Sequence, residues 1–420
     1  MRIEPVGATF RSRVTTFTSR VFLALAVGGA VAVPSAQQVR FDDVVRNLRN
    51  PDPKERAAAV RLLRDAKYPE AVGPMAPLVL DPLDDIQLEA IAAELGFFID
   101  QDVRTKKMIG FVVEQRRSGI AAGAFDLGPL AVWPRPVPPE LVSALLQAID
   151  DDNPKVRLEA IYAAGVLARA PLAPEQTQKL IKALDHYDAP VRSAAARVIT
   201  RLKVTEASDA LIKAVNDSQP EVRFAAMRAL GAVRDVRAIA TLTEQLAFYK
   251  KGEGAWSALD ALARIASAAS VTVFRERLAD KDPYIRRAAA EGLGRVGDTE
   301  SIDALERNVN ADESVMVRMA GAFALQKLGR PYTARIADLM NSSKVTAQGQ
   351  EYLVELGPSA APTLVPRLQE PDRALRAAFA DVLGAIGDES AVAPLTEAAK
   401  DPNPEVASAA KRAIARIQSR

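Results

Sequence analysis

Cysteine is absent from the 420 residues, and that absence removes disulfides, thiolate zinc sites and a cysteine nucleophile together. Histidine is nearly as scarce: His186 stands alone, so no metal site built from several imidazoles is available and nothing in the sequence marks a catalytic triad. Aromatic residues make up 5% of the chain, with only two tryptophans, Trp133 and Trp256. A surplus of charge is missing as well. The first 36 residues hold Arg2, Arg11, Arg13 and Arg20 against Glu4, and setting them aside takes the 55 basic and 53 acidic residues of the full chain to 51 and 52. Nucleic-acid binding leans on a basic footprint that displaces counterions from phosphates, and a chain at −1 has no such global footprint. Nucleic acid is therefore not the expected partner.

What the chain has instead is one stretch written many times. It is clearest from Asp280 to Leu305, DKDPYIRRAAAEGLGRVGDTESIDAL. An acidic turn with Pro283 leads into a helix whose apolar face is Ile285, Ala289, Leu293 and Val296, and Gly297 follows where a left-handed cap is wanted. A second helix begins after Asp298 with Ile302 and Leu305 on its inner side. Such a hairpin cannot bury its own apolar face and needs neighbours. They are supplied at Pro154, Pro190, Pro220 and Ala374 by PKVRLEAIYAAGVLA, PVRSAAARVITRL, PEVRFAAMRALGAVRD and ALRAAFADVLGAIGDESAVAPL.

Aligned on the Arg of the V-R pair, the units anchor at Arg56, Arg157, Arg192, Arg223, Arg286, Arg318 and Arg376, with degenerate copies centred on Gln87, Trp256, Ala347 and Ala407. The step is roughly 30 residues apart from one long gap after Gln87, the period of a helical-hairpin array. The pattern D-x-x-P-x-V-R-x-x-A-A-x-x-L-G closed by G-D resembles the HEAT-repeat family, in particular its short-repeat branch named after phycobilisome lyases, from Phe41 to the end of the chain. The resemblance implies an all-α fold, a right-handed α-solenoid of stacked helical hairpins, and a non-enzymatic scaffold that binds a protein or peptide partner. Deoxyhypusine hydroxylase, an enzyme of the same family, holds two irons with His-Glu pairs; no such pair occurs in this chain, so that activity is not carried over. No cofactor or metal is expected.

Four regions are expected. Residues 1–36 read as a secretory signal peptide, with basic residues ahead of VFLALAVGGAVAV and small residues at Ala30, Ala32 and Ala36, which places the mature protein in the periplasm or outside the cell. An uncleaved membrane anchor is the alternative; beyond Val33 no apolar run is long enough to span a bilayer. Residues 37–100 form the first units and a polar cap, 101–139 a helical stretch followed by a Gly/Pro-rich loop, and 140–420 the regular array. The density of Gly and Pro in SGIAAGAFDLGPLAVWPRPVPP forbids a regular helix there. Trp133, flanked by prolines, is either a rigid anchor for a ligand or a cover for apolar surface left by a missing helix.

Two patterns bear on function. Six residues before the anchors lie Asp81, Asp151, Asp217, Asp280, Asp312, Glu370 and Asp401, which the family resemblance makes ladder residues fixing register between turns; His186 takes the same slot before Arg192. The second pattern is the pair of positions one and five after the anchor, opposite the apolar face. Read along the chain, these include Tyr162, Arg197, Phe224, Arg228, Arg287, Glu291, Met319, Phe323 and Tyr352, types enriched at interface centres. Second helices line the concave side of HEAT solenoids, so this stripe is the expected partner surface. The runner-up is a lyase-type enzyme or accessory protein holding a small molecule beside Trp133, in a pocket rimmed by Phe97 and Phe98.

Overall fold

The computed structural model describes residues 40–99 and 119–420. The expected leader over 1–36 and the helical stretch expected over 103–117 lie outside the described residues. Within them the fold is an all-α solenoid with no β-strand, only an isolated antiparallel bridge between Ile99 and Val132. Each unit pairs a short first helix, often continued as a 3₁₀ turn, with a longer second helix. Among the described residues eleven second helices are present, one per sequence anchor, at Pro53–Ala66, Asp84–Phe98, Pro154–Leu167, Ala189–Leu202, Pro220–Val233, Gly252–Ile265, Pro283–Val296, Val315–Lys327, Thr346–Leu356, Arg373–Ile386 and Pro404–Gln418; the units are numbered 1 to 11 in that order.

Local sequence explains the boundaries. Asp52, Asn153, Asp282, Asp372 and Asn403 each accept the N–H two residues on, and proline at the first helical position loses no bond that a helix start would have made. Gly297 (φ 80°) and Gly387 (φ 79°) end their helices in the left-handed conformation, as the sequence predicts. In unit 7 Ile285, Ala289 and Leu293 are buried as expected, with Val296 half-buried. The glycine that follows the consensus leucine has a separate reason. A Cβ on Gly294 would lie 2.4 Å from Ala324 Cα of the next unit, and Gly231 and Gly384 meet Ala261 and Ala413 in the same way, at 2.6 and 2.5 Å. Successive second helices thus cross at backbone contact. The same match shows that unit 6 is anchored on Ala255 rather than on Trp256, one residue earlier than the sequence alignment places it.

The expected ladder is present. Arg56, Arg192, Arg286 and Arg376 pair with Asp81, Asp217, Asp312 and Asp401 of the following unit at 2.7, 2.7, 2.8 and 2.8 Å. Each arginine also donates Nη1 to the two carbonyls that open its own turn. The aspartate in turn accepts the N–H two residues on. One side chain therefore closes its own turn and ties it to the next. His186 fills the slot as expected: its Nδ1 accepts the Asp188 N–H at 3.0 Å, the bond that aspartate makes elsewhere. Arg157 accordingly reaches past it to Asp188 at 2.6 Å.

An inserted segment across the concave side

Residues 119–138 are only in part the irregular loop that their composition predicts. Ile120–Asp126 is a helix, followed by a 3₁₀ turn at Pro129–Ala131 and an extended run to Pro138. The helix survives because its alanines let it lie close against unit 3, with Ala121 and Ala124 buried and the Ala121 N–H bonded to Glu159 at 2.8 Å.

This segment meets one end of the expected stripe. Tyr162 packs on Phe125 at 5.3 Å between ring centroids, and its hydroxyl accepts from Arg197 at 2.8 Å. Arg197 pairs with Asp126 at 2.5 Å while lying over both rings. Arg201 stacks on Phe125 at 3.6 Å and donates to the Phe125 carbonyl. Burial, followed by the nearby Arg197 charge, pulls the Arg201 guanidinium down to about 10.

The far end of the segment touches the end of the array. Arg416, in the second helix of unit 11, donates Nη2 to the carbonyls of Val132, Leu130 and Pro129 at 2.9, 3.2 and 3.3 Å. Basic residues at the end of a helix, here Lys411, Arg412, Arg416 and Arg420, ordinarily complement the dipole of their own helix. Instead Arg416 grips the segment inserted between units 2 and 3, Arg420 caps unit 10 through the carbonyls of Ala385 and Ile386, and Arg412 forms a two-bonded pair with Asp381 at 3.0 and 3.1 Å. The solenoid thus curves far enough for its last unit to meet its own insert. Between the segment and units 9 to 11 lies a cavity of about 550 Å³, walled by Leu127 to Ala131 on one side and by Gln350, Val354, Ala377, Asp381, Ser408 and Arg412 on the other.

The middle of the stripe is not an open face, which corrects the expectation for four of its residues. Met319 and Phe323 are fully buried, and Glu291 and Tyr352 are 1% and 2% exposed. Tyr352 stacks on Phe323 at 4.3 Å and donates to Glu291, two units away, at 2.5 Å. Arg287 bridges Glu291 and Asp260, and Arg295 bridges Glu291 and Glu355. Curvature through units 7 to 9 is tight enough for positions two units apart to touch, so side chains pointing away from one core make a second one. Burial acts to raise the Asp260 carboxyl, but Arg264, Arg287 and Arg295 outweigh it and hold it well below the carboxylate range. Burial, reinforced by Glu291, pushes the Tyr352 hydroxyl well above its ordinary value.

Of the remaining stripe residues, Phe224 is half-buried against Tyr249, edge-on at 5.4 Å, and Arg228 is exposed, paired with Glu253 at 3.1 Å. Trp133 is half-buried in the insert. Its N–H bonds to the Phe98 carbonyl at 2.8 Å, Arg135 lies over its ring at 5.6 Å, and Arg135 also bonds to the Phe97 carbonyl. Phe97 and Phe98 are themselves buried, at 5% and 1% exposure, so among the described residues they do not form an open rim beside Trp133. The residues that sequence reasoning missed, Asp126, Leu130, Arg201 and Val354, carry no local signal, because what assembles them is the curvature of the whole array. No group of three or more His, Cys, Asp or Glu able to hold a metal occurs among the described residues.

Three comparisons place the chain among known proteins. No curated protein matches it. Among solved structures it is similar to the CpcE–CpcF complex of phycocyanin lyase from Nostoc, with 18% identity over 75% of this chain and 99% of that one, TM-score 0.36. It is also similar to human deoxyhypusine hydroxylase in complex with glycerol (20% identity, 67% and 97%, TM-score 0.28). A third likeness is to the Escherichia coli protein YibA (16%, 70% and 93%, TM-score 0.39). None of these likenesses carries an argument about activity. The family model described as HEAT repeats matches residues 177–247, 252–326 and 353–420, half of the chain, and with the stacked hairpins and their ladder in view the chain belongs to the HEAT-repeat family.

Proposed function

We propose that the chain is an exported, non-enzymatic scaffold that holds a protein or peptide partner in the cleft between its inserted segment and units 9 to 11. HEAT repeats are helical scaffolds for protein interaction, and the observation that carries this reading is the cleft itself. Its apolar Leu127, Pro129, Leu130 and Val354 face charged Asp381 and Arg412, the mixture of apolar anchors and polar rim on which partner recognition draws. The leader supports export, and an N-terminus near Val33 to Gln37 on the native protein would agree with it. A photo-reactive amino acid at Leu130 tests the cleft. Adducts with one envelope protein are expected from Leu130 and not from the outer-surface position Glu306; equal adducts from both, or none from Leu130, would refute it.

The second reading, a lyase-type protein holding a small molecule, is favoured by one feature: the cavity has the volume of a small-molecule site and abuts the Gly/Pro-rich segment. Native mass spectrometry of protein purified from its source separates the two, since a retained small molecule adds a fixed mass to the intact chain.

A further inference from the structure

The ladder has one rung without an arginine. At the slot six residues before each anchor there are seven acids, and six of them are paired with an arginine: Asp81, Asp217, Asp312 and Asp401 through the preceding unit, Asp280 with Arg277 at 3.0 Å, and Glu370 with Arg367 at 2.7 Å. Asp151 alone has no salt bridge among the described residues. Gln87 stands where the arginine would be and offers Asp151 one neutral amide bond, Nε2 to Oδ2 at 2.9 Å.

Two independent features mark this junction. Gln87 is 4% exposed, and its Oε1 finds no hydrogen-bond donor among the described residues, which is a costly state for a buried acceptor. Gln87 also lines a cavity of about 580 Å³ between units 2 and 3, whose wall carries Asp81, Asp84, Asp150, Asp151 and Asp152 against Lys179 as its one cation. Arg56 already engages Asp81, and Arg157 reaches Asp151 and Asp152 only through their backbone carbonyls while giving Nε and Nη2 to Asp188. The junction therefore combines uncompensated carboxylates with an amide oxygen lacking a donor. A group with several N–H donors and a positive charge supplies what this rung lacks, as arginine does for the carboxylates at the other rungs. A bare metal ion fits less well, since no three carboxylates here converge closely enough to ligate one.

We propose that the junction of units 2 and 3 binds the ammonium or guanidinium group of a lysine or arginine side chain presented by a partner polypeptide, which completes the ladder at Gln87 and Asp151. The proposal extends the scaffold reading but does not use the cleft at Leu130, so adducts at Leu130 without any response at Gln87 would remove this site and leave that reading standing.

The test is a titration of the full chain with a blocked peptide, Gly-Ser-Lys-Ser-Gly, followed through the methyl signals of Ile86 and Ile149. Arginine and norleucine versions, spermidine and calcium chloride serve as separate arms. The lysine and arginine peptides are expected to shift both methyls and norleucine to shift neither. Gln87→Arg, which supplies the missing rung internally, should weaken peptide binding about tenfold or more without lowering the melting temperature. Asp151→Asn should weaken it similarly, and carries the same prediction should Gln87→Arg fold poorly. The proposal is overturned if the basic peptides do not bind, if norleucine binds equally, or if Gln87→Arg and Asp151→Asn leave binding unchanged. Tight binding of spermidine without the peptides would identify a free amine as the ligand, and a Gln87-dependent response to calcium alone would identify a metal; either overturns it.

Discussion

Arg416→Ala should release the last unit from the inserted segment without melting the array. Arg416 Nη2 is shared among three carbonyls of the inserted segment, and hydrogen bonds to a charged donor contribute about 1.5–3 kcal/mol. Burial, together with the charges of Arg412, Arg169 and Arg420, pulls the Arg416 pKa below its usual value despite the counter-pull of Asp381, so part of that gain offsets the cost of holding the cation there. A net loss of about 2 kcal/mol is therefore a ceiling, and it corresponds to roughly thirtyfold more frequent opening of the contact. In a solenoid each unit is stabilised by its immediate neighbours, and those interfaces are untouched. Hydrogen exchange read by mass spectrometry should show faster exchange in peptides covering 120–138 and 404–420, with the melting temperature nearly unchanged and the exposed control Lys411→Ala silent. Unchanged exchange in both peptides would mean that the last unit does not hold the insert, and a large global drop in melting temperature would mean that the closure belongs to the core.

Four further outcomes follow from the packing. His186→Asp should be neutral or slightly stabilising by thermal melting, because the carboxylate can accept the Asp188 N–H that Nδ1 now accepts. Phe323→Ala should cost about 3–5 kcal/mol in denaturant unfolding, as for a fully buried aromatic, where an open-stripe residue would cost almost nothing. Gly294→Val should destabilise by several kcal/mol in the same assay, because even a Cβ would meet Ala324 Cα at 2.4 Å. The pH dependence has two opposing parts. Arg192 and Arg376 hold Asp217 and Asp401 below the ordinary carboxylate value, so their contribution is present above about pH 4 and is lost as pH falls through the folded pKa. Glu94 is raised by burial and its oxygens have no hydrogen-bond partner among the described residues, so it destabilises as pH rises above about 4; Glu94→Gln should raise the melting temperature at pH 7 and leave it unchanged near pH 4.

Legibility in the sequence tracks the range of the interaction. The hairpins, their caps and the ladder from Arg56 to Asp401 depend on contacts within a unit or with the next one, and each leaves a mark at fixed spacing. His186 was readable because its slot was already defined by aspartates. Unit 6 slips by one because its V-R pair is gone, and the register is restored by the approach of Gly231 to Ala261 and by Arg223 bonding Tyr249 at 2.6 Å, six residues before Ala255. The burial of Glu291, Phe323 and Tyr352 left no mark at all. Curvature accumulates from small rotations between units, so whether a face lies open or closes on itself is a property of the sum. The contact of Arg416 with Leu130, 286 residues away in sequence, is the clearest case. Glycine and proline density also misled: the helix at Ile120–Asp126 is stabilised by packing against unit 3, where propensity alone would leave it unformed.

The lack of native cysteine allows the cleft to be tested with a single reactive site. Leu130→Cys would be purified, split in two, and one half coupled to a bulky maleimide; a Lys411→Cys variant carrying the same label controls for the modification. With the crosslinked envelope partner as probe, unlabelled Leu130→Cys and labelled Lys411→Cys should bind normally, and labelled Leu130→Cys should lose binding at least tenfold at an unchanged melting temperature. Full binding by labelled Leu130→Cys would contradict the account, because a partner held between the inserted segment and units 9 to 11 cannot share that space with the label.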